Sequence, residues 1–171
     1  MSAKYKLWPG VLLAGLLVVA AGSVAAADAN YQPRVGQDGK DVIWVPNPEA
    51  MVEKMLDMAA VTAQDFVIDL GSGDGRNVIG AAKRGARARG VEFNPDLVEH
   101  SRRLAAAAGV AARTEFVQGD MFAADVSQAS VLALFLLPDN LRKLTPKFID
   151  MKPGVRIVSR SEEHTSELQS H

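Results

Sequence analysis

The stretch VIDLGSGDGR, residues 67–76, runs a short apolar segment into Asp69, Gly71, Gly73 and Gly75, in the pattern D-x-G-x-G-x-G. Glycines just past a strand admit positive φ and let the main chain approach a ligand with no Cβ in the way. In a doubly wound sheet the loop after the first strand is a usual ligand contact, so these residues read as a nucleotide-binding loop. Their spacing argues against a dinucleotide: G-x-G-x-x-G counted from Gly71 needs glycine at position 76, where the chain has Arg76. Two further acids, Glu92 in GVEFNPDLVE and Asp120 in FVQGDMF, each close a β-rich run.

The elements that position these residues alternate between strand and helix. Asn47, Pro48 and Glu49 open a helix whose apolar residues Met51, Val52, Met55, Leu56 and Ala59 share one face, the methionines as core packing. FVIDL, 66–70, is the first strand, and residues 76–84 follow as a helix with Val78, Ile79 and Ala82 inward and Gly85 at its end. A second strand is expected over about residues 86–93, then a helix capped by Asn94 with Pro95 at its first position and stopped by Gly109. TEFVQGD supplies a third strand, and ASVLALFLL, 129–137, a fourth that is apolar throughout, as a strand covered on both faces should be. Leu141, Leu144, Phe148 and Ile149 indicate a helix disturbed by Pro146, before VRIVS as the fifth strand. Strands separated by helices imply right-handed crossovers and a parallel sheet, so the fold class is α/β, doubly wound and Rossmann-like.

Composition removes other chemistries. With 19 basic against 20 acidic residues and a formal charge of −1, no bulk field favours nucleic acid or an anionic membrane. The chain has no cysteine, which excludes disulfides, thiolate metal sites and a cysteine nucleophile. No metal site is expected. His100, in a helix beside Glu99 and Arg102, reads as a surface residue.

Both ends read as separate from the domain. Lys4 and Lys6 precede an apolar run from Val11 to Ala21 and an A-x-A arrangement at Ala25 and Ala27. That is the layout of a signal peptide over 1–27, cleaved after Ala27 or Ala29, with an uncleaved membrane anchor through residues 7–27 as the alternative. Either points to an exported, periplasmic or anchored protein. Residues 28–47 form a lead segment and 48–159 the domain. Residues 160–171, RSEEHTSELQSH, resemble letter for letter the in-frame translation of a short-read sequencing adapter, and a non-native tail is expected there.

Over Val45 to Ser159 these motifs resemble the class I S-adenosylmethionine-dependent methyltransferases. More narrowly, WVPNP before a helix, then DLGSGDGR, AAKRGA and GVEFNP, resemble small bacterial relatives of the mitochondrial protein-lysine methyltransferases acting on the adenine nucleotide translocase and the ATP synthase c-subunit. Asn47 departs from that pattern, where threonine or serine is common. The strand pattern stops at the fifth strand, whereas a complete class I sheet adds two that form an edge hairpin. The resemblance implies S-adenosylmethionine as cofactor, bound by Asp69, Gly71, Ser72, Gly73, Gly75, Glu92, Phe93, Asn94, Asp120 and Met121. It gives Glu92 the ribose hydroxyls, where a carboxylate can take both protons in charge-assisted bonds. Asp120 takes the adenine amino group, between apolar walls of Met121 and Phe93. Three acids at three successive strand ends, in register with a glycine loop, carry the assignment. The implied reaction is N-methylation of a protein lysine, with a small-molecule acceptor or a nucleotide-binding module without turnover as alternatives. The acceptor side is expected along Leu136, Leu137, Pro138 and Asp139, with Asp139 an acceptor carboxylate or a helix cap, and along Trp44 to Pro48, which includes Asn47.

Overall fold

The computed structural model describes residues 30–39 and 44–160; the signal or anchor expected over 1–27 lies outside the described residues, as do 161–171 of the expected tail. Helix α1 (Glu49–Met58) leads into β1 (Phe66–Leu70), α2 (Arg76–Lys83), β2 (Arg87–Glu92) and α3 (Pro95–Ala107). After a 3-10 turn at Ala111–Arg113 come β3 (Thr114–Gln118), β4 (Val131–Phe135), α4 (Pro138–Ile149) and β5 (Arg156–Arg160). All strand pairs are parallel, in the order β3-β2-β1-β4-β5. This is the doubly wound α/β arrangement expected from the alternating pattern. Strand order reverses between β1 and β4, and ligand crevices in such sheets lie beyond the carboxyl ends of the strands at that point.

Period-two alternation sorts the side chains of the inner strands onto two covered faces. Val67, Val131 and Ala133 face one apolar cluster with Val52, Leu56, Val78 and Val98 of the first three helices. Ile68, Leu70, Leu132 and Leu134 face the other, with Met121, Leu136 and Leu144. Met55 lies in the first cluster and Met51 packs against it, as core rather than binding surface.

Three expectations change in the folded chain. Helix α4 runs unbroken through Pro146, which sits in its exposed last turn, where one missing N–H removes a single bond near the frayed end. Strand β5 extends to Arg160, one residue into the stretch assigned to the tail. His100 is buried, at 7% exposure, because Tyr31 of the lead segment packs edge-on against its ring.

A polar knot ties the amino ends of three strands together. The Asp65 carboxylate accepts from Thr62 N at 2.8 Å, Thr62 Oγ1 at 3.1 Å and Ser130 Oγ at 2.7 Å, and pairs with Arg156. Arg156 Nη1 also donates to the Ala59 carbonyl at 2.7 Å, and Phe66 N donates to Ser130 Oγ at 2.9 Å. Burial alone would raise the Asp65 pKa, but the Thr62 and Ser130 hydrogen bonds and the Arg156 charge together hold it below its ordinary value. Arg156 is more than a third exposed and is solvated when its partner goes, so removing Asp65 costs chiefly the hydrogen bonds to Thr62 and Ser130, about 1–2 kcal/mol. Asp65→Ala should lower the unfolding free energy obtained from urea titration by that margin. Because the folded pKa is depressed, the carboxylate stabilises the fold above its unfolded value near pH 4 and loses that contribution as pH falls through the folded pKa. Denaturant titrations from about pH 5 to 2 should show the parent losing a pH-dependent increment that the variant lacks.

Candidate active site

The glycine loop leaves β1 and is bound at once to β2: Gly71 N and Ser72 N both donate to the Val91 carbonyl, at 2.8 and 3.0 Å. Glu92, the last residue of β2, then holds it. Its Oε2 accepts from Gly73 N at 2.9 Å, while Oε1 accepts from Asn94 N at 2.9 Å, at the turn into α3. The Asn94 side chain caps α3 by accepting from Asp96 N at 2.9 Å.

Two loop glycines are required for different reasons. Gly73 has φ 55°, and a Cβ there would lie 2.6 Å from Trp44 Nε1, so the indole rests directly on main chain. Gly75, with φ 79°, is the N-cap of α2, and its Cβ would lie 2.5 Å from Phe116 Cε1 and 3.0 Å from Ser101 Cβ. Gly75 therefore serves the packing of α3 and β3 behind the loop. The Ser101 hydroxyl lies 3.0 Å from the Gly73 carbonyl and 2.8 Å from that of Leu97, fastening the loop to α3 from the same side.

A cleft of about 1090 Å³, space open to solvent included, lies over this loop. Asp69, Gly71, Ser72, Gly73, Glu92, Phe93, Asp120 and Met121 line it, whereas Gly75 and Asn94 support it from behind. Asn47 lines it too, with Trp44, Val45, Pro46, Leu136 and Leu137 of the expected acceptor wall. Pro138 and Asp139 do not. Asp139 is three-quarters exposed and paired with Arg142, and the N-cap of α4 is Leu137, so Asp139 is neither a lining carboxylate nor the cap.

Sequence reading missed three further polar residues of the lining, Asp74, Arg76 and Asn77. Arg76 lays its guanidinium along Asp74, with Nε 2.9 Å from Oδ1, and donates from Nη1 to the Asn47 carbonyl at 2.6 Å. That bond couples the start of α2 to the turn before α1. Asn77 Nδ2 donates to Asp69 Oδ2 at 3.1 Å, and its Oδ1 lies 3.4 Å from Asn47 Nδ2. A signal existed for Arg76, since opposite charges two residues apart enter the helix directly after the loop. None existed for Asn77, whose partner depends on how α2 crosses β1.

Five carboxylates, of Asp38, Asp69, Asp74, Glu92 and Asp120, line the cleft, and Arg76 is the one cationic side chain among the described lining. Burial pushes the Asp69 carboxyl well above its usual range; the Asn77 bond opposes this, and the charges of Glu92 and Asp74 add to it. Glu92 is also raised, chiefly by burial, against the opposing N–H bonds from Asn94 and Gly73. Burial thus disfavours the charged forms of Asp69 and Glu92 beside apolar walls, a penalty that a cationic, partly aromatic ligand would relieve. S-adenosylmethionine fits on these grounds. The roles that the resemblance implies, Glu92 at the ribose hydroxyls and Asp120 at the adenine edge beside Phe93 and Met121, fall on residues of this lining. No group of acids and histidines among the described residues is arranged to hold a metal ion.

The fold and cleft define a doubly wound nucleotide-binding domain whose loop suits an adenosyl group rather than a dinucleotide. A family model for the ANTKMT methyltransferase domain matches residues 69–161, and the chain belongs to this family of S-adenosylmethionine-dependent methyltransferases. It is 41% identical over 125 residues to a protein-lysine N-methyltransferase of Saccharolobus islandicus, covering 71% of this chain and 78% of that one. It is 35% identical over 117 residues to the ATP synthase c-subunit lysine N-methyltransferase of Mus musculus, covering 68% of this chain and 47% of the mouse protein. The chain thus spans about half the length of that animal relative. Among solved structures, the RNA methyltransferase of Salinibacter ruber in complex with S-adenosyl-L-homocysteine is 50% identical, with a TM-score of 0.65 over 67% of this chain and 76% of that one.

Replacing one charged acceptor of the Glu92 clamp weakens two main-chain bonds, at about 2 kcal/mol or roughly thirtyfold in affinity. Glu92→Gln should lose S-adenosylmethionine binding by that factor in calorimetry while keeping its far-ultraviolet circular dichroism. Because Glu92 titrates above an ordinary glutamate, affinity in the parent should fall as pH drops through that raised value, sooner than an exposed glutamate would allow.

Proposed function

We propose that the protein transfers a methyl group from S-adenosylmethionine to the side-chain amine of a protein lysine. The observation that carries this reading is the charge and shape of the cleft: carboxylates at its floor and apolar walls of Trp44, Pro46, Phe93 and Leu137. Acidic groups attract a protonated lysine from solution, and apolar walls suit its methylene stem. The relatives named for lysine methylation support the same acceptor.

S-adenosylmethionine, when bound, supplies a methyl group activated on a sulfonium, for in-line transfer to a neutral amine. The protein's own contribution is alignment and exclusion of water. Glu92 fixes the loop that sets the depth of the cleft, and Trp44 closes its side over Gly73. An acceptor amine must lose its proton before transfer. Bringing an ordinary lysine pKa of ~10.4 to near 7.5 takes about 4 kcal/mol of differential stabilisation. Desolvation against Trp44, Phe93 and Leu137 disfavours the ammonium and works in that direction, as the sulfonium charge of the bound cofactor would, against the opposite pull of the lining carboxylates.

A second reading, methylation of RNA, is favoured by the Salinibacter likeness. The lining argues against it, since a phosphate backbone meets five carboxylates and a single guanidinium that is already engaged with Asp74. Radiolabelled S-adenosylmethionine incubated with the full chain and whole-cell extract distinguishes them. Label should survive ribonuclease, disappear with protease and co-migrate with methyl-lysine after acid hydrolysis. Label lost to ribonuclease overturns the lysine assignment.

The basic and apolar layout of residues 1–27 supports an exported or membrane-anchored setting for the domain. Fractionation of cells expressing the full chain should place it in the periplasmic or membrane fraction; recovery in the cytosolic fraction overturns this.

A further inference from the structure

The lead segment forms one side of the cleft although it belongs to none of the sheet's crossovers. Gln37, Asp38 and Gly39 line the cleft beside Trp44. A turn brings Gln37 N to the Arg34 carbonyl at 3.0 Å, and paired main-chain bonds join Gly36 N to Trp44 O at 2.9 Å and Trp44 N to Gln37 O at 2.8 Å. Gln37 Nε2 reaches back to the Tyr31 hydroxyl, so residues 31–39 and Trp44 are joined, with Trp44 and Gln37 at the cleft and Tyr31 at the far end.

That far end rests on α3. The Tyr31 ring meets His100 edge-on, with centroids 6.2 Å apart and planes at 82°. Arg103 Nη2 donates to the Tyr31 carbonyl at 3.1 Å and lies 3.4 Å from His100 Nδ1. Burial, and then the neighbouring guanidinium, hold the His100 pKa below its ordinary value, with Asp74 and the Tyr31 backbone opposing. The imidazole is therefore neutral at pH 7, and Nδ1 can accept from Arg103. None of these three side chains lines the cleft.

We propose that Tyr31, His100 and Arg103 form an anchor that fixes the lead segment as a wall of the cofactor cleft, making His100 and Arg103 positioning residues for cofactor binding. The chain of contacts is short. Helix α3 holds Tyr31, Tyr31 holds Gln37, Gln37 holds Trp44, and Trp44 lies against Gly73 in the loop that Glu92 clamps. Loosening the anchor removes the wall without altering any residue that touches the cofactor. The anchor uses no feature of the methyl acceptor, so failure of the lysine assignment leaves it standing.

The test uses the full chain in a Trp8→Phe background, where Trp44 is the remaining indole. S-adenosylmethionine binding by calorimetry and Trp44 emission are measured for His100→Ala, Tyr31→Ala and Tyr31→Phe. Both alanine variants should bind about tenfold more weakly and emit at longer wavelength, while Tyr31→Phe, which keeps the ring against His100 but loses the hydroxyl that holds Gln37, should move both readouts in the same direction by less. Tyr31 comes from outside the sheet and its helices, so its variants remain informative if His100→Ala fails to fold. Unchanged affinity and emission in Tyr31→Ala overturn the proposal, as does a Tyr31→Phe that matches the parent in both readouts.

Discussion

Both oxygens of Glu92 accept main-chain N–H groups, from Gly73 on one side and Asn94 on the other. The glycine loop and the start of α3 are thereby tied to the carboxyl end of β2. A loop rich in glycine loses more conformational entropy on ordering than any other, so its shape has to be imposed from outside. Here the Val91 carbonyl imposes it at Gly71 and Ser72, Glu92 at Gly73, and the Ser101 hydroxyl from behind. The carboxylate is a clamp on the loop as well as a candidate ligand group, so loop geometry and ligand affinity are coupled through one side chain.

The two ends of the sheet use acids in opposite ways. At the amino ends, Asp65 is surrounded by donors and a guanidinium, and its pKa falls. At the carboxyl ends, Asp69 and Glu92 have donors too, but burial outweighs them and their pKa values rise. Raised folded pKa values mean the opposite linkage: each of these acids costs stability as pH climbs from its unfolded value through its folded one, and that cost stays in place at neutral pH. A fold carrying such a cost at one edge needs a compensating network elsewhere. The Asp65, Ser130 and Arg156 knot supplies one at the far end of the sheet.

Much of this was legible in the chain because it is local. The strand runs, the Asn94 and Pro95 helix start, and the D-x-G-x-G-x-G loop each declare themselves within a few residues, and the parallel sheet follows from their alternation. The lining acids were legible for the same reason, since Asp69, Glu92 and Asp120 each sit at or just beyond a strand end. What stayed hidden depends on contacts between distant segments. His100 reads as exposed because Glu99 and Arg102 stand beside it in the helix, yet Tyr31, whose carbonyl accepts from Arg103 72 residues later, covers it. Gly75 belongs to the motif by spacing but serves packing against Phe116, a fact fixed only when α3 and β3 are brought behind the loop. Pro138 and Asp139 follow the fourth strand as an acceptor loop would, but α4 begins at once and turns Asp139 to solvent.

Specificity for the acceptor then has to come from a limited set of surfaces. The floor of the cleft is committed to the loop and its clamp, and one wall to Phe93 and Met121. The remaining walls are the lead segment with Trp44 and Pro46, and the start of the loop after β4 at Leu136 and Leu137. These two come from opposite ends of the domain's sequence and share no backbone hydrogen bond among the described residues. Their spacing is set indirectly, by α3 through Tyr31 on one side and by the β4 ladder on the other. An acceptor entering between them meets the exposed Asp38 and the apolar side chains of Trp44 and Leu137, so a long, flexible, cationic side chain suits the approach better than a rigid anionic one: its stem can lie along Trp44 and Leu137 while the lining acids attract its charge.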